Sequence, residues 1–364
     1  ALINIDQDTT FSGSVEATDI NNASTTATFS DNVTATITNS GTLLFDTSAD
    51  KSVTGTIAEP GGGATGTEIK VIDSADGAPA TVTFTATVAA DTLTVGTTSN
   101  AGAALFQEAV TVPTINIIGG DVDEDSTTTF NKAVTATSGI TLDDNTGVTK
   151  VIFAQNNTVD ITGTIDGASA GEGTIEVTGA TKTFKSAIGS TSVGTLNIDA
   201  TPVFESTVGA TTIDIAGSVT ATFNDAITAT TIALNGSSNL TISYTGAITI
   251  EGNITDTSTS NEINVLFATA DTAPSLVTFS GAAVAADTIK IGSTTKAGKA
   301  TFSGLTGVTA TTLTIAGGDH ENEDSTATFN DNLTATIVLD DNTGDAKIIF
   351  ATTNNATITG TING

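Results

Sequence analysis

The sequence predicts an all-β protein, a right-handed parallel β-solenoid (β-helix) with coils of about 20 residues. Three observations predict it. Apolar residues alternate with Thr, Ser and Asp over many short runs, the period-two pattern of a half-buried strand. Phe returns along the chain, many consecutive ones about 18 to 24 residues apart. No window carries a sustained 3.6-residue apolar period, so essentially no helix is expected.

Composition supports the strands. Thr, Ala, Gly, Ser, Asn and Asp dominate the 364 residues. Hydrophobic residues make up 38%, too many for a disordered chain. Most are Val, Ile, Ala and Phe, and the β-branched ones favour extended backbone over helix. Gly, Asn-Gly, Asp-Gly and Asp-Asn steps mark the corners, where positive φ is needed. Gly61, Gly62 and Gly63 read as a hinge or an inserted corner between irregular strands.

Phe defines the coil. The clearest short unit is Thr-x-Thr-Phe, three residues, an aliphatic residue and Thr-Ala-Thr, at 26–36, 127–137, 220–230 and 326–336. A lone coil has only edges and buries nothing. Stacking at about 4.8 Å pairs each strand with those above and below. The expected core ladder is Phe29, Phe84, Phe106, Phe130, Phe204, Phe223, Phe279, Phe302 and Phe329. About 18 coils at that rise make a rod of roughly 85 to 90 Å.

A second repeat, of about 195 residues, lies over the first. LDDNTG at 142–147 returns at 339–344, and VIFA at 151–154 returns as IIFA at 348–351. TGTIDG ending at Gly167 returns as TGTING ending at Gly364, and GGDVDEDSTTTFN at 119–131 as GGDHENEDSTATFN at 317–330. The expected division is therefore 1–167, a first copy incomplete at its start, and 168–364, a second copy, in one continuous solenoid. The chain reads as a mature or trimmed piece of something longer. A string of Ig-like β-sandwiches remains the alternative fold, because Thr-x-Thr-Phe recurs about every 100 residues.

Charge excludes several functions. The formal net charge is -30, from 40 acidic residues against 10 Lys. Nucleic acid needs clustered Lys and Arg, and an anionic membrane surface repels such a chain. No stretch reaches the roughly 18 to 20 apolar residues of a membrane span. With no Cys and one His (His320), no Ser-His-Asp or Cys-His constellation is available. Paired carboxylates serve glycoside cleavage, yet aromatic and basic subsites are missing: one Tyr, no Trp and no Arg. The chain is not expected to be an enzyme, and no organic cofactor is expected.

Calcium is the one chemical candidate. Asp121, Asp123, Glu124 and Asp125 form an acidic cluster that recurs as Asp319, Glu321, Glu323 and Asp324. Asp143 and Asp144 recur as Asp340 and Asp341. Ca²⁺ takes six to eight oxygens, and carboxylates on a Gly-bounded loop supply them. The cluster lacks the central Gly and distal Glu of an EF-hand loop. The other reading is a solvated loop that keeps the sides of the solenoid apart. Arrays of Thr-x-Thr could meet ice, but the runs are irregular. Asn-x-Ser/Thr triplets, as at 32–34 and 332–334, arise by chance in such a composition and imply no glycosylation.

The chain resembles the repetitive regions of large bacterial surface proteins. It is similar to rickettsial-type autotransporter antigens and to the Thr/Ala/Gly/Asp-rich S-layer proteins of alphaproteobacteria. Composition carries the resemblance, with units such as TATFNDAITATTIALNG at 220–236. It implies a β-solenoid at the cell surface, extracellular, whose copies pack with one another and with the cell envelope into a coat, lattice or filament, commonly held by Ca²⁺. The glycine-rich nonapeptides of calcium-binding toxin repeats are absent. The expected function is a self-assembling S-layer or filament subunit. The alternatives are an adhesin shaft presenting a distal tip, and a phage fibre. No membrane insertion by this segment and no nucleic-acid partner is expected.

Overall fold

A computed structural model describes residues 1–60, 66–75, 77–269, 272–351 and 357–364. The Gly61–Gly63 corner expected from the sequence lies outside the described residues. Every regular element is a strand, with no helix among the described residues. The strands pair in parallel, each with its counterpart one coil away. The one antiparallel contact among the described residues is an isolated bridge, Ser293 to Lys296. Ig-like sandwiches are built from antiparallel sheets, so that alternative falls. The chain is a β-solenoid of about 14 turns.

Alternation builds each strand. In Val33–Asn39 the residues Val33, Ala35 and Ile37 face inward while Thr34 and Thr36 face out. One face is therefore a column of aliphatic side chains, and the other is Thr and its neighbours. Coil length varies far more than the sequence suggested. Hydrogen bonds between adjacent coils link residues 17 apart at Asn22 and Asn39 and 23 apart at Ala101 and Glu124. They link residues 27 apart at Gly298 and Ser325 and 31 apart at Thr81 and Asp50. Longer coils explain why about 14 turns form where a 20-residue unit implied about 18.

Contacts divide the chain into two compact units, Ala1–Thr195 and Leu196–Gly364. In the first, Thr26–Phe29 lies between Thr9–Phe11 and Thr42–Asp46, while Val33–Asn39 lies on Val15–Asn22. The next turn splits the long strand in two. Lys51–Thr54 continues its first half and Ile57–Ala58 its second. From there three short strands make a turn, as in Thr81–Phe84, Val88–Ala89 and Thr92–Val95, which pair with Ala103–Phe106, Val110–Thr111 and Thr114–Ile118. In the second unit most turns keep one short and one long strand, as in Lys299–Phe302 and Val308–Ala316 under Ser325–Phe329 and Leu333–Asp340, and the long strand splits again at Ile358–Thr359 and Ile362–Asn363.

All nine expected ladder phenylalanines are buried, but they do not form one column. Phe11, Phe29 and Phe45 stack at 5.1 and 5.6 Å. Val71 then pairs with Phe45, and Phe84 stands over Val53 on a neighbouring strand ladder. The two rings meet edge-on, 5.3 Å apart and at 89°. Phe84, Phe106, Phe130 and Phe153 continue in register, at 4.7, 5.3 and 5.9 Å. The handover repeats at Phe184, which pairs with Ile161 and meets Phe153 at 86°. In the second unit Phe204 stacks on Phe223 at 4.7 Å, Tyr244 lies on Phe267, and Phe279, Phe302 and Phe329 form a further column. Each change of column needs an edge-on contact or an aliphatic spacer. Both are tolerated because aromatic pairs favour offset and T-shaped geometry alike.

A few polar groups are buried with partners. Asn22 and Asn39 stack, Asn22 Nδ2 donating to Asn39 Oδ1 at 2.9 Å, and Asn39 Nδ2 donates to the Gly41 carbonyl at 2.9 Å. Lys182 is buried and donates to the carbonyls of Ala180 at 2.6 Å, Gln155 at 3.3 Å and Thr178. Burial pushes its ammonium down to about 8, so at neutral pH it remains a cation cradled by carbonyl dipoles.

Candidate functional site

The acidic clusters sit at one kind of corner, which each unit builds once. The corner begins with buried strand residues. Ser126 and Ser325 are fully buried at the start of Ser126–Phe130 and Ser325–Phe329. Ser126 Oγ donates to the Ile118 carbonyl at 2.5 Å and accepts the Gly102 N–H at 3.0 Å. Ser325 Oγ donates to the Ala316 carbonyl at 2.5 Å and accepts the Gly298 N–H at 3.0 Å. A hydroxyl is the smallest group that both donates and accepts, so one side chain ties the strand to the coil beneath and closes the loop before it.

That loop is 119–125 in the first unit and 317–324 in the second. Gly120 N–H donates to the Glu124 carbonyl at 2.9 Å and Glu124 N–H to the Asp121 carbonyl at 3.0 Å. In the second unit Gly318 donates to Glu323 and Glu323 to His320, both at 2.9 Å. The loop turns its central glutamate inward. Glu124 is 8% and Glu323 1% exposed. Glu124 Oε2 accepts the Ala101 N–H at 3.2 Å, and Glu323 Oε2 accepts the Asp319 N–H at 3.0 Å. Both belong to the carboxylates that the sequence reads either as calcium ligands or as a solvated loop, and neither is solvated. They are instead pinned by backbone donors, which a carboxylate accepts in charge-assisted bonds.

The other predicted carboxylates divide by what they touch. Asp125 Oδ1 accepts the Val148 N–H at 2.8 Å, and Asp324 Oδ1 the Asp345 N–H at 2.9 Å. Asp144 Oδ1 accepts the Thr149 N–H at 2.7 Å, and Asp144 Oδ2 the Gly173 N–H at 2.9 Å. Asp341 Oδ1 accepts the Ala346 N–H at 2.7 Å. Asp143 Oδ1 accepts the Asn145 N–H at 3.2 Å. Asp340 contributes its carbonyl, which accepts the Gly317 N–H at 3.0 Å. Asp121, Asp123, Asp319 and Glu321 are exposed, Asp123 at φ 69. No three carboxylates converge on one point among the described residues. His320 accepts the Asn322 N–H on Nδ1 at 3.4 Å and is part of the loop.

An asparagine clips each corner across two coils. Asn145 Nδ2 donates to the Thr98 carbonyl, 47 residues away, at 2.9 Å. Asn342 Nδ2 donates to the Thr294 carbonyl, 48 residues away, also at 2.9 Å. The sequence reading missed the buried serines and these asparagines. The signal was present, since both pairs recur at the same place in the two long copies. The corners differ in what lies beside them. A groove of about 550 Å³ next to Asp125 is lined by Thr81, Ala104, Leu105, Thr127 and Thr129. One of about 470 Å³ next to Asp324 is lined by Asp341, Asp345, Thr326, Ala346 and Lys347. What the corners share is thus the loop frame and its exposed acidic rim. Comparison with protein-family models, with curated proteins and with solved structures finds no match in any of the three.

Proposed function

We propose that this chain is a non-catalytic structural protein of a cell surface, a self-assembling subunit of an S-layer or surface filament. The observation that supports this most is the twofold use of one corner. The same serine, aspartate and asparagine bonds recur in each unit around a buried glutamate, and display Asp121, Asp123 and Asp125 in one, Asp319, Glu321 and Asp324 in the other. A surface feature built twice makes the same contact twice, as a regular assembly requires. The carboxylates within a corner are occupied by backbone or spread along its rim. In this reading Ca²⁺ acts between chains, where carboxylates of two copies supply the oxygens that one corner lacks. A net charge of -30 makes such copies repel unless cations screen or bridge them. The resemblance to bacterial surface proteins agrees with an extracellular location.

Negative-stain microscopy tests this, with millimolar Ca²⁺ and again with a chelator. Ordered sheets or filaments that dissolve on chelation are expected. Isolated particles under both conditions would overturn the assembly reading in favour of an adhesin shaft. Converting Asp121, Asp123, Asp125, Asp319 and Asp324 to Asn, with Glu321→Gln, is expected to leave the circular dichroism spectrum unchanged and abolish the ordered material. Each Asn keeps an oxygen that can accept the loop N–H.

A further inference from the structure

The two corners share a frame and differ in what stands on it. In the first unit Val122 is 72% and Val148 48% exposed. Val122 lies in the loop that ends at Asp125, and the Val148 N–H donates to Asp125 Oδ1 at 2.8 Å. Among the described residues these two are the exposed large apolar side chains outside the first and last coils. The outward strand face beside them is apolar too. Thr83, Leu105, Thr129 and Ile152 follow one another in register across four coils, and the groove next to Asp125 opens onto Leu105. The rim is anionic, and Asp121, Asp123 and Asp125 make no ion pair among the described residues. The long repeat puts other chemistry at the same places in the second unit. His320 stands for Val122, Asp345 for Val148, Thr301 for Leu105, Lys299 for Ala103 and Lys296 for Asn100. The backbone is kept: Lys299 pairs with Thr326 and Thr301 with Thr328, as Ala103 pairs with Thr127 and Leu105 with Thr129. Lys299 is exposed and Lys296 half-buried. Neither makes an ion pair among the described residues, although the chain has 40 acidic residues for its 10 Lys. Asp324, the carboxylate of that corner's strand start, is engaged by the Asp345 N–H.

We infer that the first-unit corner of one copy docks on the second-unit corner of another. Val122, Val148 and Leu105 cover the face at Thr301 and Thr328, while Lys296 and Lys299 meet Asp121, Asp123 and Asp125. This rests on the assembly reading above and names the surfaces it uses. Opposite charges set the partner and the register. Threonine methyls and lysine stems give the valines an apolar surface to pack on. Ca²⁺ then neutralises the carboxylates that two lysines leave over. The contact is heterologous, joining different patches of two copies, so it propagates into a ring or a filament. Each copy uses both corners, one per neighbour. A same-to-same contact through Val122 would instead set two anionic rims against each other.

The test exchanges residues between the corners, so that each substitution is one the same backbone already carries elsewhere. One variant has Val122→His, Leu105→Thr and Val148→Asp. The other has Lys296→Asn and Lys299→Ala. Val148→Asp and Lys299→Ala alone are the milder version of each, and circular dichroism checks that every variant keeps its strands. Sedimentation velocity over a concentration series in millimolar Ca²⁺ reads self-association. Each variant alone is expected to associate about tenfold or more weakly than the unchanged chain. An equal mixture of the two is expected to regain association and to stop at dimers, because each variant supplies the face the other lacks. Undiminished association of the lysine variant alone overturns the proposal in favour of a same-to-same contact. A mixture that stays as weak as its components also overturns it, since the two faces then do not meet. An unchanged chain that is monomeric throughout, with and without Ca²⁺, removes the assembly reading itself and this contact with it.

Discussion

Tyr244 is the single tyrosine in a chain without tryptophan, so its absorbance reports one site. Its hydroxyl donates to the Ser275 carbonyl at 2.9 Å and accepts the Lys299 N–H at 2.9 Å. Burial pushes the phenol up to about 12. An ultraviolet titration should show phenolate forming around pH 12, and near the ordinary 10 in denaturant. The unfolded chain releases this proton first, so stability should fall as pH rises from about 10 toward 12. Phenolate appearing near 10 in the folded chain would contradict the buried, doubly bonded hydroxyl. Phe223 makes the complementary point for packing. It is fully buried and stacks 4.7 Å from Phe204, so Phe223→Ala should cost about 3 to 5 kcal/mol in denaturant unfolding. Unchanged stability would sink the stacked-ring account of the core.

The Thr-Gly-Thr motif acquires its meaning only in the assembled coil. Gly163 and Gly360, the two copies, adopt φ of 117 and 136. A Cβ on either would run into a carbonyl of the coil below, Ala136 for Gly163 and Ala335 for Gly360. Those alanines are the centre of Thr-Ala-Thr, so two recurrent motifs are the facing sides of one close contact between coils. Gly163→Ala should destabilise by about 2 to 4 kcal/mol, from the strained φ and the overlap together. Calorimetry that finds less than about 1 kcal/mol would remove that explanation. Much at this scale was legible beforehand. Alternation gave the strands, and Phe with Thr-Ala-Thr gave the coils. The column changes at Phe84 and Phe184 were not, because register depends on how many residues each whole coil spends, from 17 at Asn22 to 31 at Asp50. Glu124, Glu323 and Ser126 were hidden for another reason. Polar residues in a Gly-rich loop read as solvated, and only pairing with the neighbouring coil shows which of them turn inward.

At the scale of the molecule the dominant quantity is charge. Ten lysines offset little of it, and the ion pairs Lys51–Asp31, Lys70–Glu68 and Lys150–Glu176, at 3.1, 3.1 and 3.5 Å, are surface pairs of small individual worth. Asp31 and Asp91 are held below the ordinary carboxylate range, chiefly by backbone N–H donors from Asn32 and Thr67. Their contribution is present at neutral pH and is lost as pH falls through those lowered values. Working against them is the mutual repulsion of the remaining carboxylates, which compaction increases. Salt weakens that repulsion, since the screening length falls from about 30 Å at 0.01 M to about 8 Å at 0.15 M. Tm should therefore rise with NaCl over this range. The same measurement separates screening from bridging. At matched ionic strength and a protein concentration where the chain is monomeric, Ca²⁺ should raise Tm no more than Na⁺, because no three carboxylates converge within the described residues. At higher protein concentration the Ca²⁺ curve should rise above the Na⁺ curve, since the cation then joins carboxylates of different chains. A Ca²⁺ excess already full in the monomer would place the cation inside a corner, and no Ca²⁺ excess at any concentration would leave the acidic rim as a purely repulsive surface.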